Sequence, residues 1–167
     1  MRRLKPEPLT AEAFAPFGDV IEAGDAAQHY PINQGQTERF HNLAKLDLTG
    51  DGGKAGVSIF RTTPLPSPLT IKLMEYHPRS SQAFYPLNGK PYLVVVAQKG
   101  FLDPAKIRVF MASASQGVNY HAGTWHHFSL ALGAPQDFMV IDRIADDDNC
   151  VEQDLDETDW IIIEDRT

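Results

Sequence analysis

The distribution of apolar residues along the chain predicts a β protein. Eight short runs are rich in β-branched and aromatic residues: 56–62, 70–77, 82–86, 92–98, 107–111, 117–120, 125–132 and 137–144. Turn-forming sequences such as Asn88-Gly89 and Gly133-Ala134-Pro135 separate them. Short strands at regular intervals are typical of a sandwich or a barrel, and such folds protect the edges that many strands would otherwise expose.

Two regions depart from this pattern. Near the start, Thr10 suits a helix N-cap, the segment Ala11–Phe14 can form one helical turn, and Pro16 with Gly18 would end it. Residues 30–55 are polar and glycine-rich, which indicates a long loop or an irregular strand pair over the barrel. The length of 167 residues fits one domain, so we expect a single domain over residues 1–167.

The net charge of −7 is unevenly distributed. Residues 146–165 hold ten acidic residues and no lysine or arginine, and outside residues 146–167 there are 12 acidic and 14 basic residues. The rest of the chain therefore suits a small anionic substrate, while the lack of a basic run argues against nucleic acid. For the acidic end we expect a solvated tail, with a subunit contact through residues 160–163 as the alternative.

No stretch approaches the roughly 18 apolar residues of a membrane span, and no signal-peptide pattern follows the first residues. The single cysteine, Cys150, suits a reducing compartment, so we expect a cytoplasmic protein that does not bind a membrane. Acidic neighbours disfavour a thiolate, so Cys150 is not expected to be a nucleophile.

Histidine is the most informative residue type. Three of the six histidines fall in the segment NYHAGTWHHFSL. In a strand, His126 and His127 point to opposite faces. His126 would share its face with the apolar Phe128 and Leu130, so we expect His126 to point inward and His127 to lie on an outer face or an interface.

A second polar group follows from Glu75 and His77, which share one strand face, and from Gln82, which opens the next strand. We expect these side chains to converge beside His126. Imidazole and carboxylate are common ligands of divalent metals, so a metal held by Glu75, His77 and His126 is compatible with the sequence.

These residues resemble the two motifs of the cupin superfamily. The first frame is Glu75, His77, Gln82 and Gly89 at the family's spacing, although two residue types depart from the pattern. The second motif reads His121-x-Gly123-x-x-His126, with histidine in place of proline. Gln82 stands where a metal-binding cupin has a carboxylate, and a neutral amide is a poor transition-metal ligand.

Longer stretches are similar to the ureidoglycolate lyase family. They are PINQGQTERFHNLA, SIFRTTP, MEYHPRSSQAFYPLNGKPYLVVVA, GVNYHAGTWHHFSL and DFMVIDR with the following DNC. The resemblance implies a cytoplasmic homodimer with a cupin-like antiparallel β-barrel or jelly roll. It also implies cleavage of (S)-ureidoglycolate to glyoxylate and urea in allantoin catabolism. Nickel stimulates some members, which makes nickel the first metal to consider.

The chemistry of that reaction defines what the site must supply. In ureidoglycolate one carbon carries a hydroxyl, a ureido nitrogen and a carboxylate. Breakdown forms a C=O bond as the C–N bond breaks, so a base must take the hydroxyl proton and an acid must assist the leaving urea. Histidine suits either role, and the sequence leaves open whether His126 or His77 is the base.

The remaining predicted contacts bind the substrate. Gln82 and Ser81 are expected to hydrogen-bond the ureido or carboxylate group. Arg61 is the first choice for a carboxylate clamp, because a guanidinium matches a carboxylate geometrically. Tyr120 and His121 are expected to line the mouth of the site.

Two other functions fit the same sequence. A metal-dependent cupin oxygenase or isomerase would carry stoichiometric iron or manganese. A non-catalytic cupin that binds a small molecule would be stabilised by its ligand without turning it over. The fold alone does not separate these functions, because cupin-like barrels serve many of them.

Overall fold

The computed structural model describes residues 1–164 and contains one short α-helix and many short strands. The helix α1 is Ala11–Phe14. The strands are β1 Arg2–Leu4, β2 Glu7–Pro8, β3 Gly18–Ile21, β4 His29–Ile32, β5 Thr37–Phe40, β6 Lys54–Thr62, β7 Thr70–Ile71, β8 Leu73–Tyr76, β9 Gln82–Pro86, β10 Tyr92–Ala97, β11 Arg108–Ala112, β12 Gly117–Tyr120, β13 Trp125–His126, β14 Leu130–Ala131, β15 Gln136–Ile144, β16 Val151–Asp154 and β17 Ile161–Ile163.

Two main sheets form the body of the protein. The first has the order β16-β8-β13-β10-β11-β2, with β14 also paired to β10, and the second has the order β3-β12-β9-β15-β6. From β8 to β16 the chain passes repeatedly between the two sheets, as in a jelly roll. The predicted mainly β architecture of jelly-roll type with a short N-terminal helix is confirmed.

Strand β10 is the centre of the core, and both of its faces are buried. Tyr92, Val94 and Val96 pack in one cluster with residues of the second sheet, including Phe84 and Phe138. The alternate residues of β10 pack in a second cluster beneath β7 and β17. Burial on both faces explains the continuous apolar run YLVVVA, since neither face needs polar residues.

Helix α1 forms as the sequence predicts. The Thr10 side chain accepts a hydrogen bond from the Ala13 backbone nitrogen at 3.1 Å, which satisfies one of the free N–H groups of the first turn. Phe14 is buried and packs edge-on against Phe110 at a centroid distance of 5.8 Å. The single turn therefore covers one end of the core between the sheets.

The region 30–55 contains a strand pair and a long loop. Strands β4 and β5 pair antiparallel as a separate two-stranded sheet. The loop that follows is attached to the second sheet, because the Asp47 backbone nitrogen donates to Ser81 Oγ at 2.8 Å and the Ser81 nitrogen donates to the Asp47 carbonyl. Both predicted alternatives are thus present in one segment.

The acidic end folds onto the rest of the protein within the described residues, contrary to the predicted solvated tail. Strand β16 pairs with β8, and β17 lies between β1 and β7. Ile161 and Ile163 are buried in the chain's own core, so the segment is not a solvated tail and these two isoleucines are not available for a subunit contact. Leu155 also packs inward, whereas Val151 is 40% exposed.

Candidate functional site between the two sheets

Four strands bring the predicted polar cluster together at one end of the jelly roll. In the first sheet His126 of β13 lies directly opposite Glu75 of β8, and His77 follows one residue after β8 ends. In the second sheet Gln82 of β9 lies opposite Tyr120 of β12. The cluster of Glu75, His77, Gln82, Tyr120 and His126 therefore spans the gap between the sheets.

His126 is fixed in orientation by its surroundings. Its side chain is 1% exposed and its ring stacks on Tyr120 at a centroid distance of 4.2 Å and an angle of 5°. Nδ1 donates to the Thr124 carbonyl at 3.0 Å, so Nε2 points toward the cluster. Nε2 is buried and makes no hydrogen bond within the described residues.

Electrostatic effects favour a neutral His126 beside an ionised Glu75. Burial lowers the pKa of His126, and this effect outweighs the opposing effect of Glu75. Burial alone would raise the pKa of the Glu75 carboxyl, but its interactions with His126 and His77 outweigh burial and lower it. Glu75 Oε1 lies 3.5 Å from His126 Nε2, which leaves room for a bound group to meet both.

His77 belongs to a hydrogen-bonded chain that crosses the gap. Nδ1 donates to the Asn149 carbonyl at 2.7 Å, and Nε2 lies 2.9 Å from Gln82 Oε1. The orientation of the Gln82 amide is fixed because its nitrogen donates to Asp142 Oδ2 at 3.1 Å. Both ring nitrogens of His77 therefore face oxygen acceptors.

A cavity of about 320 Å³ opens beside His77 and Gln82. Its other polar lining residues were not predicted from the sequence: Ser80, Asp142, Arg143, Asp147, Asp148 and Asn149. The stretches DFMVIDR and DNC contain Asp142, Arg143 and Asn149, so the family resemblance was the one signal that included them. The contact between Asn149 and His77 could not be predicted from spacing, because the two residues are 72 positions apart in the sequence.

The site meets the chemical requirements of a divalent metal. One ligand atom each of Glu75, His77 and His126 lies within 4.8 Å of the others. Both histidines donate Nδ1–H to a backbone carbonyl, the usual way in which a ligating imidazole is oriented. The buried and unbonded Nε2 of His126 is the atom that a cation would satisfy. These three residues are therefore a possible His/Glu metal site.

Three predicted substrate contacts lie apart from the cluster. Arg61 is 77% exposed and pairs with Asp137 at 2.9 Å on the outer face of the second sheet, because the strand face that it shares with Ile59 is the outer one. His121 pairs with Asp19 at 2.9 Å, and the hydroxyl of Ser81 holds the loop at Asp47. The placement of Arg61 argues against its predicted role as the carboxylate clamp.

His127 is buried, contrary to the predicted outer-face position. Strand β13 ends at His126, so strand alternation no longer applies to His127, whose exposure is 3%. Phe128, the predicted inward residue, is instead 40% exposed. Burial lowers the pKa of His127 to about 4.

The buried His127 makes the folded state sensitive to acid. Between about pH 6.5 and pH 4 the unfolded chain binds a proton at this residue and the folded chain does not. The free energy of unfolding should therefore decrease as the pH falls through this range, by about 3 kcal/mol. Urea denaturation from pH 7 to pH 4 measures it, and His127→Gln should flatten the decrease. An unchanged slope in the variant would contradict this assignment.

Cys150 lies at the edge of the same cluster. Its thiol donates to Glu75 Oε2 at 3.6 Å. Burial, together with Glu75 and Glu152, raises the pKa of the thiol to about 11. The thiol form therefore dominates at neutral pH, in agreement with the prediction that Cys150 is not a nucleophile.

The fold and the site define a class of jelly-roll proteins that hold two histidines and a glutamate between their two sheets. The family model of ureidoglycolate lyase matches residues 1–162. A ureidoglycolate lyase of Burkholderia mallei (strain NCTC 10229) is 52% identical over 161 residues, covering 96% of this chain and 94% of the relative. One of Pseudomonas syringae pv. tomato is 48% identical, covering 98% and 96%. The chain belongs to the ureidoglycolate lyase family.

Solved structures of oxalate decarboxylases are also similar. A point mutant of the Bacillus subtilis enzyme aligns with a TM-score of 0.39 and 15% identity, covering 66% of this chain and 27% of that one. The formate complex of the Lactobacillus farciminis enzyme aligns with a TM-score of 0.41 and 13% identity, covering 76% and 33%. Within residues 1–164, no helix has the length and apolar character needed to cross a membrane.

Proposed function

We propose that this protein cleaves (S)-ureidoglycolate to glyoxylate and urea in allantoin degradation. Family membership over residues 1–162 supports the substrate. The observation that carries the chemistry is the pair of His126 and His77, whose Nε2 atoms both face the gap between the sheets. The reaction consumes no water, and a site enclosed by two sheets suits a reaction in which water is not needed.

We assign different roles to the two histidines. Nε2 of His126 accepts the hydroxyl proton of the substrate, because burial keeps this ring neutral and Nδ1 already holds its proton against the Thr124 carbonyl. His77, whose ring faces two acceptors, donates a proton to the leaving urea. A neutral base beside a proton donor is what carbinolamide breakdown requires.

The polar groups of the cavity bind the substrate's carboxylate and ureido group. Arg143 lines the cavity, but both of its terminal nitrogens bond Asp147, at 2.6 and 2.7 Å. We therefore assign the carboxylate to the hydroxyl of Ser80. The ureido group is assigned to the Gln82 amide, which lies beside the proton donor His77. Tyr120 holds the His126 ring flat by stacking and is a positioning residue.

We also propose that Glu75, His77 and His126 hold a divalent cation, with nickel as the first metal to test. When bound, such a cation would polarise the hydroxyl and carboxylate oxygens of the substrate. The histidine Nε2 atoms cannot ligate a cation and transfer protons at the same time. Comparison of rates with EDTA and with added Ni²⁺ therefore decides which role these atoms have.

The test of the proposed activity is the nature of the nitrogen product. The purified protein is incubated with racemic ureidoglycolate, and urea and ammonia are measured against the enzyme-free reaction. We expect urea without ammonia. Ammonia as the accelerated product would show an amidohydrolase instead, and binding without acceleration would show a non-catalytic cupin.

We propose that the protein forms a homodimer through strand β6, the edge of the second sheet, together with the apolar residues on its outer face. Strand β6 is the edge of that sheet, pairs only with β15 among the described strands, and is nine residues long. Val57 and Ile59 on its outer face are 70% and 63% exposed, and exposed apolar residues on a free edge favour association. A second copy offers the same edge and the same apolar face, so two β6 strands can pair about a two-fold axis.

A charge on this face should separate the subunits. In Ile59→Glu, the two-fold axis would bring two buried carboxylates together, so we expect the wild-type mass of twice 18.6 kDa to fall to that of one chain. Light scattering after gel filtration measures the mass. Phe101→Glu is the control, because Phe101 is 92% exposed in a loop. A monomeric wild type, or a dimeric Ile59→Glu variant, would contradict the proposed interface.

We propose a cytoplasmic location for the protein. The support is its single cysteine, Cys150, which is free and exposed. An exposed thiol of this kind is compatible with a reducing compartment.

A further inference from the structure

A second cleft, of about 480 Å³, lies between the N-terminal strands and β11. It shares no lining residue with the cavity beside His77. We call it the basic cleft, because the charged residues that line it within residues 1–164 are Arg2, Lys5, Lys106 and Arg108 and one acid, Glu7. This excess of positive charge is opposite in sign to the net charge of the whole chain, which is −7.

The structure holds the arginines of the basic cleft in place. Arg108 forms a two-bond pair with Glu7 at 2.8 and 3.0 Å, and its guanidinium lies 4.8 Å from the centre of the Phe110 ring. Arg2 donates to the Pro104 carbonyl at the opposite wall. Fixed cations bind an anion with less loss of conformational entropy than flexible ones.

Lys106 completes the positive side of the basic cleft. It ends the short 3-10 turn Pro104–Lys106, and its ammonium lies 3.5 Å from Asp103 with 78% of the side chain exposed. Including Asp103 and Glu7, the charged groups around the cleft still sum to a net positive charge. A charged cleft with low-dielectric walls concentrates ions of opposite sign.

We propose that the basic cleft binds a small polyphosphate, either free or carried by a nucleotide. Phosphate oxygens can accept from the Lys106 ammonium and from the Arg2 nitrogens other than the one that bonds Pro104. Arg108 is already bonded to Glu7 and to the Ala13 carbonyl, so it forms part of the wall and is not assigned as a donor to the ligand. Pro16 forms an exposed apolar part of the wall, against which the base of a nucleotide can pack. The proposal does not rest on the lyase activity.

The test is calorimetric titration of the protein with pyrophosphate and with ATP, both without divalent metal. We expect a pyrophosphate Kd of about 0.1 mM, and about tenfold weaker binding by Lys106→Glu, because the change reverses one charge of the cleft. Lys90→Glu is the control, since it changes the net charge equally but lies outside the cleft. ATP binding tighter than pyrophosphate identifies the nucleotide as the source, and equal binding identifies the phosphates alone.

Two results would overturn the proposal. One is the absence of binding of either probe at about 10 mM, far above the expected Kd. The other is an equal loss of affinity in Lys106→Glu and Lys90→Glu, which would show attraction to the overall charge and no site. Lyase activity measured on the same samples keeps this result separate from the proposed function.

Discussion

Replacing His126 with asparagine should lower kcat/KM for ureidoglycolate by about 10³-fold, the range in which loss of a general base is measured. The asparagine amide nitrogen can still donate to the Thr124 carbonyl in place of Nδ1, so the variant is expected to fold. It lacks Nε2, the buried atom that faces Glu75 without a hydrogen bond. Steady-state kinetics on folded protein measure the loss.

The matched control is His127→Asn. His127 is the next residue and is also buried, but its Nδ1 bonds the Phe128 carbonyl and it is not part of the polar cluster. Its kcat/KM should stay within about threefold of wild type, as usual for a residue outside the site. If His126→Asn keeps kcat/KM within about tenfold of wild type, His126 is not the base.

Replacing Glu75 with glutamine should abolish metal binding and lower kcat/KM by about 10²-fold, the cost of losing an electrostatic partner in an active site. The amide has the same shape, but it removes the charge between His126, His77 and Cys150. Calorimetric titration with Ni²⁺ and steady-state kinetics measure the two effects separately.

Glu157→Gln is the control for Glu75→Gln. Glu157 is exposed and belongs to neither of the residue groups that could hold a metal ion, so the same change of charge occurs away from the site. We expect its Ni²⁺ affinity and its kcat/KM to stay near those of wild type. Equal Ni²⁺ affinity in Glu75→Gln and wild type would exclude Glu75 as a ligand.

The sheet architecture could be predicted from the local pattern of apolar and polar residues, because burial of a strand face determines that pattern. The run YLVVVA is apolar throughout since both faces of β10 are buried, and Thr10 caps α1 through a contact three residues away. His126, Glu75 and His77 were predicted together because strand alternation and the family spacing agreed on them.

The predictions for His127, for the acidic end and for Arg61 were wrong because contacts between distant segments determine the burial of these residues. His127 does not follow the predicted alternation because β13 ends at His126, well inside the predicted run 125–132. The acidic end was predicted as a tail because its charges hid Ile161 and Ile163, which pack between β1 and β7. Arg61 was placed on the correct strand face, but the pattern does not show that this face is the outer one.

Asn149 and Asp142 could not be predicted from local sequence. Their roles depend on the chain of hydrogen bonds from Asn149 through His77 and Gln82 to Asp142. That chain joins three separate segments, and its orientation depends on which end of the Gln82 amide faces His77. The spacing of residues in the sequence does not predict these hydrogen bonds.

The most direct test of the account follows both products of racemic ureidoglycolate in one reaction, with His126→Asn as the reference. A stereoselective lyase that uses His126 should release glyoxylate and urea in equal amounts and stop its fast phase when half of the substrate is consumed. At the same enzyme concentration and over the same time, the variant should show no fast phase. Complete consumption in one phase, unequal products, or a fast phase that the variant retains would contradict the account.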